Sequence, residues 1–551
     1  MTVTEPTWSK PGPGTWELDL SHAGPAPSPI QRDIYEACIE RGTGEGFALF
    51  GTPLRAMQMR WVNGKFYRRL VPLIGGSRDL RPPPAPVLWL ATRLHPEFRK
   101  QEKRAKESFE SKRWREELRR WEEEWKPALV KANLAFTDVD VTTLDSGALA
   151  GHLTALHDHL VESATMHFRL HVSDLGPLGD LMVHLEDWGL HRDDTFRALA
   201  DASPATRAPA AHLRTVASAL RDAGVDPAGL TSLDEVRAVP AATDRLDDYL
   251  RYHGLRLTTG YDLEDRVLLE LPDVIVASIR AAAASDAADA SRAALDAIAA
   301  LREDVPPDAQ AEFDEIVEDA RQSYGLRDEN GPLTYEWPAG LLRRGLLEAG
   351  GRLAAAGTLA AAADVFELRT GEVTSMLRGA PGPGLDEIAR RAEERRWWAT
   401  LDAPPRLGPE EAPPPVSVMP PHLRRITRIV LTVVAALEAE AATRAPLVGI
   451  GIGDTPYVGT ARVVHDAVEA LATMEPGDVV VAPYTAPTYN AVLAMAGAIV
   501  TGQGGLLCHA AVIARELGLP AVIGATDAMA LIPDGATIEV DPVVGTVRLL
   551  S

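Results

Sequence analysis

His509 stands in the segment GGLLCHAAVIARELGLPAVIG, residues 504 to 524, where two glycines give way to a run of strong helix formers. Gly504 and Gly505 permit a tight turn, HAAVIAREL predicts a short helix, and Gly518 with Pro520 predicts its end. His509 then falls in the first helical turn. Unpaired backbone N–H groups and the positive end of the helix dipole gather there, favouring an anion and disfavouring a protonated imidazole. A neutral imidazole so placed is a nucleophile, and a phosphate joined to it would be held by the same N–H groups and the glycine loop. That is the chemistry of a phosphohistidine carrier. A histidine that only caps or packs would leave the same local trace.

The elements that must position this histidine begin near residue 446. Short β-rich runs, TARVVH, DVVVAP, GAIVTG, PAVIG, ATIEVD and TVRLL, are separated by Gly, Pro and Asp, which predicts a small α/β domain of about 100 residues. GIGIGD at Gly449 is a weak dinucleotide-loop pattern without the βαβ context and is read as the domain's entry. Residues 1–401 read as mainly helical, with sparse strand signals. Within them, the charge run from Phe98 to Lys126 reads as a solvated helix with Phe and Trp anchors. Residues 402–445 read as a Pro-rich linker and a helix; the linker's roughly 20 residues would reach on the order of 60 Å if fully extended. The fold class is therefore multidomain: a mainly α-helical N-terminal part followed by a small α/β domain.

Composition narrows the function classes. The chain has 551 residues with a formal charge of −22. That charge opposes nonspecific attraction to phosphate backbones, so no nucleic-acid partner is expected. No run of eighteen or more apolar residues marks a membrane span, and the N-terminus lacks a basic region followed by an apolar one, so a cytoplasmic protein is expected. The two cysteines, Cys38 and Cys508, are too few for a disulfide framework or a four-cysteine zinc site.

TPYVGTARVV from Thr455, EPGDVVVAPYTAPT from Glu475, AIVTGQGGLLCHAAVIARELGLPAVIGATDA from Ala498 and IPDGATIEVDPVVGTVRLL from Ile532 together resemble the swivelling phosphohistidine domain of the phosphoenolpyruvate-utilising enzymes. The resemblance implies that residues 446–551 form that domain and that His509 is the phosphorylated histidine. It makes Gly504 and Gly505 the glycine loop, Cys508 the residue before the carrier, Arg515 and Glu516 part of its helix, and Thr485 a polar neighbour. The sequence departs from the family pattern at Gly502, Ala486 and Pro542. Neither the ATP-grasp domain that charges this histidine nor the phosphoenolpyruvate barrel is recognisable.

Upstream, WELDLSHAGPAPSPIQ from Trp16, LDDYLRYHGLRLTTGYDLEDRVLLELP from Leu246, DVFELRTGEVTSML from Asp364 and IARRAEERRWW from Ile388 resemble, more weakly, the helical substrate domain of proteins of the rifampicin phosphotransferase and phenylphosphate synthase type. That implies an organic acceptor held by helices, with His22, Tyr252, His253 and Arg256 as candidates to line its site. A further histidine group, His152, His157, His159, His167 and His171, lies on one predicted helix; 152, 159, 167 and 171 share about a third of its circumference. No H-E-x-x-H pattern accompanies it, and no metal is expected.

Two enzymatic readings and one bland reading follow. In the first, a separate ATP-grasp subunit, binding ATP and magnesium, phosphorylates His509, which then phosphorylates a small-molecule hydroxyl; no cofactor is expected on this chain itself. In the alternative, His509 serves as acid or base in an ATP-independent lyase or dehydratase. The third is a non-catalytic protein with a relic histidine.

Overall fold

The computed structural model describes residues 6–550 apart from 20–23, 25, 77–82, 192–194, 196–197, 200–201, 285–288, 410–414, 438–445, 466, 486–488, 494 and 507. The chain divides into two compact units. The first comprises Met1–Gly176, Tyr261–Asp265 and Glu329–Arg428; the second comprises Pro177–Gly260, Arg266–Asp328 and Ile429–Ser551. Helices dominate before residue 446 and a sheet-rich α/β domain follows. The units do not divide at residues 401 and 445, however, because helices compact with whatever covers their apolar faces. Helix Pro272–Ala284 buries Val274, Ile275 and Ile279, and within the second unit it packs against Ala467–Thr473 and Asn490–Leu493.

In the first unit, strands β1 (Trp16–Leu18), β2 (Leu54–Val62), β3 (Lys65–Pro72) and β4 (Arg406–Leu407) form an antiparallel sheet in the order β2-β3-β1-β4. The β2–β3 hairpin turns on Asn63 and Gly64, with φ of 48° and 72°. Paired left-handed residues match the right-handed twist of the flanking strands, which is why Asn-Gly is favoured there. Trp16, Tyr67 and Leu407 form a buried cluster on this sheet.

β4 changes the reading of the Pro-rich segment. Leu18 N donates to Pro405 O at 2.9 Å, and Tyr67 Oη donates to Pro404 O at 2.8 Å. Proline lacks an N–H but keeps its carbonyl acceptor, so it serves at a sheet edge. Val418 and Met419 are buried too. The described parts of the segment are thus held in the first unit and do not run as a free spacer.

The charge run is likewise more broken than its composition implies. Pro96–Glu110 and Arg113–Arg120 are separate helices, parted at Lys112 with φ of 48°, and a π-helical turn, Trp121–Trp125, leads into Lys126–Thr137. Solvent-side pairs such as Lys103–Glu107 occur as expected. Trp121 is fully buried, and its indole N–H donates to the Glu329 carboxylate at 3.0 Å.

In the second unit, β5 (Ile450–Ile452), β6 (Tyr457–Val463), β7 (Val479–Ala482), β8 (Ala498–Thr501), β9 (Ala521–Ile523), β10 (Thr537–Asp541) and β11 (Thr546–Leu549) form one sheet in the order β11-β10-β6-β7-β8-β9-β5. GIGIGD therefore supplies β5, the domain's entry strand, and its exit. Strands β6 to β9 are mutually parallel. β7 and β8 are buried throughout, as parallel strands covered on both faces must be. On one face Val480, Ile499 and Ile523 pack with Ala510, Ala511, Ile513 and Ala514 of helix His509–Leu517. On the other, Val479, Val481, Val500 and Val522 pack with Ile538, Val540 and Val547. Val547 N donates to Leu447 O and Gly449 N to Gly545 O, so the segment entering β5 lies beside β11. Among the described residues no helix is long and apolar enough to cross a membrane.

Candidate functional site

The glycine loop leaves β8 and is tied to the loop leaving β7. Gly502 N donates to Ala482 O at 3.0 Å and Gln503 N to Pro483 O at 2.8 Å. These bonds bring together the two segments that carry Thr485 and His509. Gly504 adopts φ of 120°, and a Cβ there would meet Cys508 Sγ at 2.7 Å and Ile523 Cγ2 at 3.2 Å. The position therefore requires glycine on both conformational and steric grounds.

Cys508 is the helix N-cap residue, in extended conformation, and its side chain makes no capping bond. Its sulfur packs under Gly504 as a small apolar group. Burial raises the thiol pKa, against the opposing influence of the Ala511 amide, the Arg515 charge, the Ala510 amide and the Arg327 charge. It stays protonated near neutrality. His509 opens helix His509–Leu517, which ends at Gly518 with φ of 66°. Arg515 Nη1 donates to Leu506 O at 2.8 Å, fastening the loop to its own helix. Gly505 O accepts from Cys508 N at 3.1 Å. Glu516 lies in the helix, and its side chain is outside the described residues.

The His509 ring is half-buried, with Nδ1 2.8 Å from Thr485 Oγ1. Thr485 is itself buried. Burial lowers the imidazole pKa to about 3, so the ring is neutral at physiological pH. A hydroxyl at Nδ1 fixes the ring's orientation, and it accepts from Nδ1–H in the tautomer whose Nε2 bears the lone pair.

The helical candidates are placed less uniformly. His22 lies outside the described residues. Tyr252, in the last turn of helix Pro240–His253, is 38% exposed. His253 stacks on Tyr249 with ring centroids 4.6 Å apart and meets His212 edge-on at 6.2 Å. Burial first, then the Arg256 and His212 charges, lower its pKa to about 2. Arg256 also favours the Tyr249 phenolate, although burial dominates and pushes that hydroxyl up to about 12. The structure thus gathers His253 and Arg256 with two residues the sequence reading missed, Tyr249 and His212. The i, i+4 spacing of Tyr249 and His253 was the available signal.

The histidine group does lie on one helix, Ser146–Asp187. Its members are held by different neighbours along the helix, with His167 and His171 also meeting edge-on at 4.6 Å. His159 Nε2 lies 2.7 Å from Asn133 Oδ1, His152 and His159 both face the Phe136 ring, and His157 lies beside Asp158. His167 Nδ1 is 3.3 Å from Thr334 Oγ1, and His171 Nδ1 is 3.5 Å from Asp174 Oδ2. Among the described residues no group of three His, Cys, Asp or Glu side chains is arranged to hold a metal ion.

The site thus joins a glycine loop that leaves a parallel strand to a helix opening on a histidine whose Nδ1 meets a threonine hydroxyl. Residues 474–545 match the family described as PEP-utilising enzyme, mobile domain, and the C-terminal domain of this chain belongs to that family. Three curated relatives illustrate the breadth of the likeness. An uncharacterized protein of Mycobacterium tuberculosis is 32% identical over 210 residues, 38% of this chain and 22% of its own length. Rifampicin phosphotransferase of a Streptomyces species is 30% identical over 348 residues, 60% of this chain and 37% of its own. Phosphoenolpyruvate synthase of Escherichia coli is 46% identical over 92 residues, 17% of this chain and 12% of its own. The matched region thus spans well under half the length of these relatives.

Proposed function

We propose that this chain is a phosphotransferase component in which His509 Nε2 carries a phosphoryl group to the hydroxyl of a small organic molecule held by the helical part. The carrying observation is the 2.8 Å contact between Thr485 Oγ1 and His509 Nδ1 at the first residue of a helix. Nδ1 keeps its proton against Thr485, Nε2 attacks phosphorus, the Nε2–P bond forms and the P–O bond to the donor's leaving group breaks. The helix N-terminus favours the resulting anion. In the second half an acceptor oxygen attacks, its proton is lost to a base, the O–P bond forms and the Nε2–P bond breaks. A separate ATP-grasp subunit, with ATP and magnesium bound there, would supply the phosphoryl group. The likeness to rifampicin phosphotransferase over more than half of this chain supports the class of reaction.

The low pKa of His509 argues against the alternative in which a protonated His509 acts as a general acid at neutral pH. It also gives the carrier reading a pH signature. A pKa held below the ordinary value keeps the nucleophile neutral above about pH 3. The initial rate of phosphohistidine formation, normalised to the donor subunit's own pH profile, is expected to be flat from about pH 8 to 5. An imidazole of ordinary pKa would lose roughly thirty-fold of its neutral form over that range.

The direct test is mass spectrometry, under alkaline conditions, of the His509 peptide after incubation with ATP, magnesium and a lone ATP-grasp protein. Phosphate on His509 that is absent from His509→Ala is the expected result. Its repeated absence, with both proteins folded, counts against the carrier reading.

A further inference from the structure

Arg32 sits in the first turn of helix Pro29–Phe50, and its guanidinium lies over the Trp398 ring at 5.2 Å. Its Nε is shielded from solvent and has no hydrogen-bond partner among the described residues. Two further guanidiniums approach, and each already has its own carboxylate. Arg369 pairs with Asp33, and Arg395, one helical turn before Trp398, pairs with Glu264 and Glu367. Burial lowers the Arg32 pKa, and the charges of Arg369 and Arg395 lower it further, whereas Asp33 and Glu36 act the other way without forming an ion pair to it. A cation whose Nε is shielded, which two other cations repel, and which has no hydrogen-bonded counter-charge among the described residues, is an arrangement that folding alone disfavours.

The chemistry of the group says what would relieve it. The guanidinium lies over the Trp398 ring, and its N–H donors are suited to a planar or tetrahedral oxyanion. We propose that Arg32, seated on Trp398, is the anchor of an oxyanion-binding site that takes a carboxylate or phosphate group of a small molecule. Its assignment to the acceptor rests on the phosphotransfer reading; the binding itself does not. The acceptor is then a hydroxyl compound that also bears an anionic group.

Isothermal titration of the whole chain with sodium phosphate and, separately, sodium benzoate, in chloride buffer near neutral pH, tests the site and separates its two chemistries. Saturable binding of at least one anion is expected, weakened at least about tenfold in Arg32→Gln, less so in Arg32→Lys, and unchanged in the exposed-surface variant Arg390→Gln. No saturable binding to the wild type, or equal binding to Arg32→Gln, overturns the proposal. Should Arg32→Gln fail to fold, phenylglyoxal modification of the wild type decides. The bound anion should protect Arg32 while exposed Arg390 continues to react, and equal labelling of Arg32 with and without anion overturns the site. A chain that binds the anion yet never carries phosphate on His509 keeps the site and loses only its assignment to a phosphoryl acceptor.

Discussion

Thr485→Val is expected to slow phosphoryl uptake by His509 by about ten- to a hundred-fold, the range seen when the partner orienting a metal-bound histidine is removed. Valine matches threonine in shape, so the buried site beside the carrier helix stays filled. What is lost is the hydroxyl 2.8 Å from His509 Nδ1. Without it Nδ1 loses the acceptor that favours its proton, and the tautomer with the proton on Nε2, which removes the nucleophilic lone pair from the reacting side, gains population. The stability cost should stay near 1 kcal/mol, the ordinary contribution of one hydrogen bond. Single-turnover phosphorylation of both proteins, followed by alkaline quench, gives the comparison. Thr485→Ser should recover most of the rate. A valine variant within twofold of wild type would show that Thr485 does not orient the carrier.

Gly504→Ala is expected to cost about 2 to 4 kcal/mol of stability and to abolish phosphoryl uptake. Two separable causes act. At φ of 120° any side chain is strained, and the new methyl would lie 2.7 Å from Cys508 Sγ. The loop would have to move, carrying the N-cap of the His509 helix with it. Denaturant unfolding of Gly504→Ala, Cys508→Ala and the double variant apportions the two causes. If the clash contributes, the double variant recovers part of the loss; the strain should persist in it. Unchanged stability in Gly504→Ala would show that the loop does not hold this conformation in solution.

The carrier domain was legible because its signals are local. Val479–Ala482 and Ala498–Thr501 are short apolar runs with turn residues at both ends, and the glycine loop abuts the helix it serves. Residues distant in sequence were legible only through resemblance. Thr485 lies 24 positions from His509, and no periodicity relates them. The four-stranded sheet went unread although Asn63-Gly64 marks its hairpin, because β2 and β3 interleave Arg and Gln with apolar residues and blur the alternation. β4 is two residues long and acquires its identity only from pairing with β1. Arg32 resembles any other helical arginine until Trp398 is seen beneath it.

The pairing of β1 with β4 also bears on how the chain is made. Trp16 lies opposite Leu407, nearly four hundred residues further along. At about 5 to 20 residues per second, a ribosome needs roughly 20 to 80 s to deliver the second strand after the first. Until then β1 has β3 on one side and an unfilled edge on the other, and the cluster of Trp16 and Tyr67 lacks Leu407. The interval during synthesis, more than the finished protein, is when this segment is exposed to mispairing and to the chaperones that prevent it.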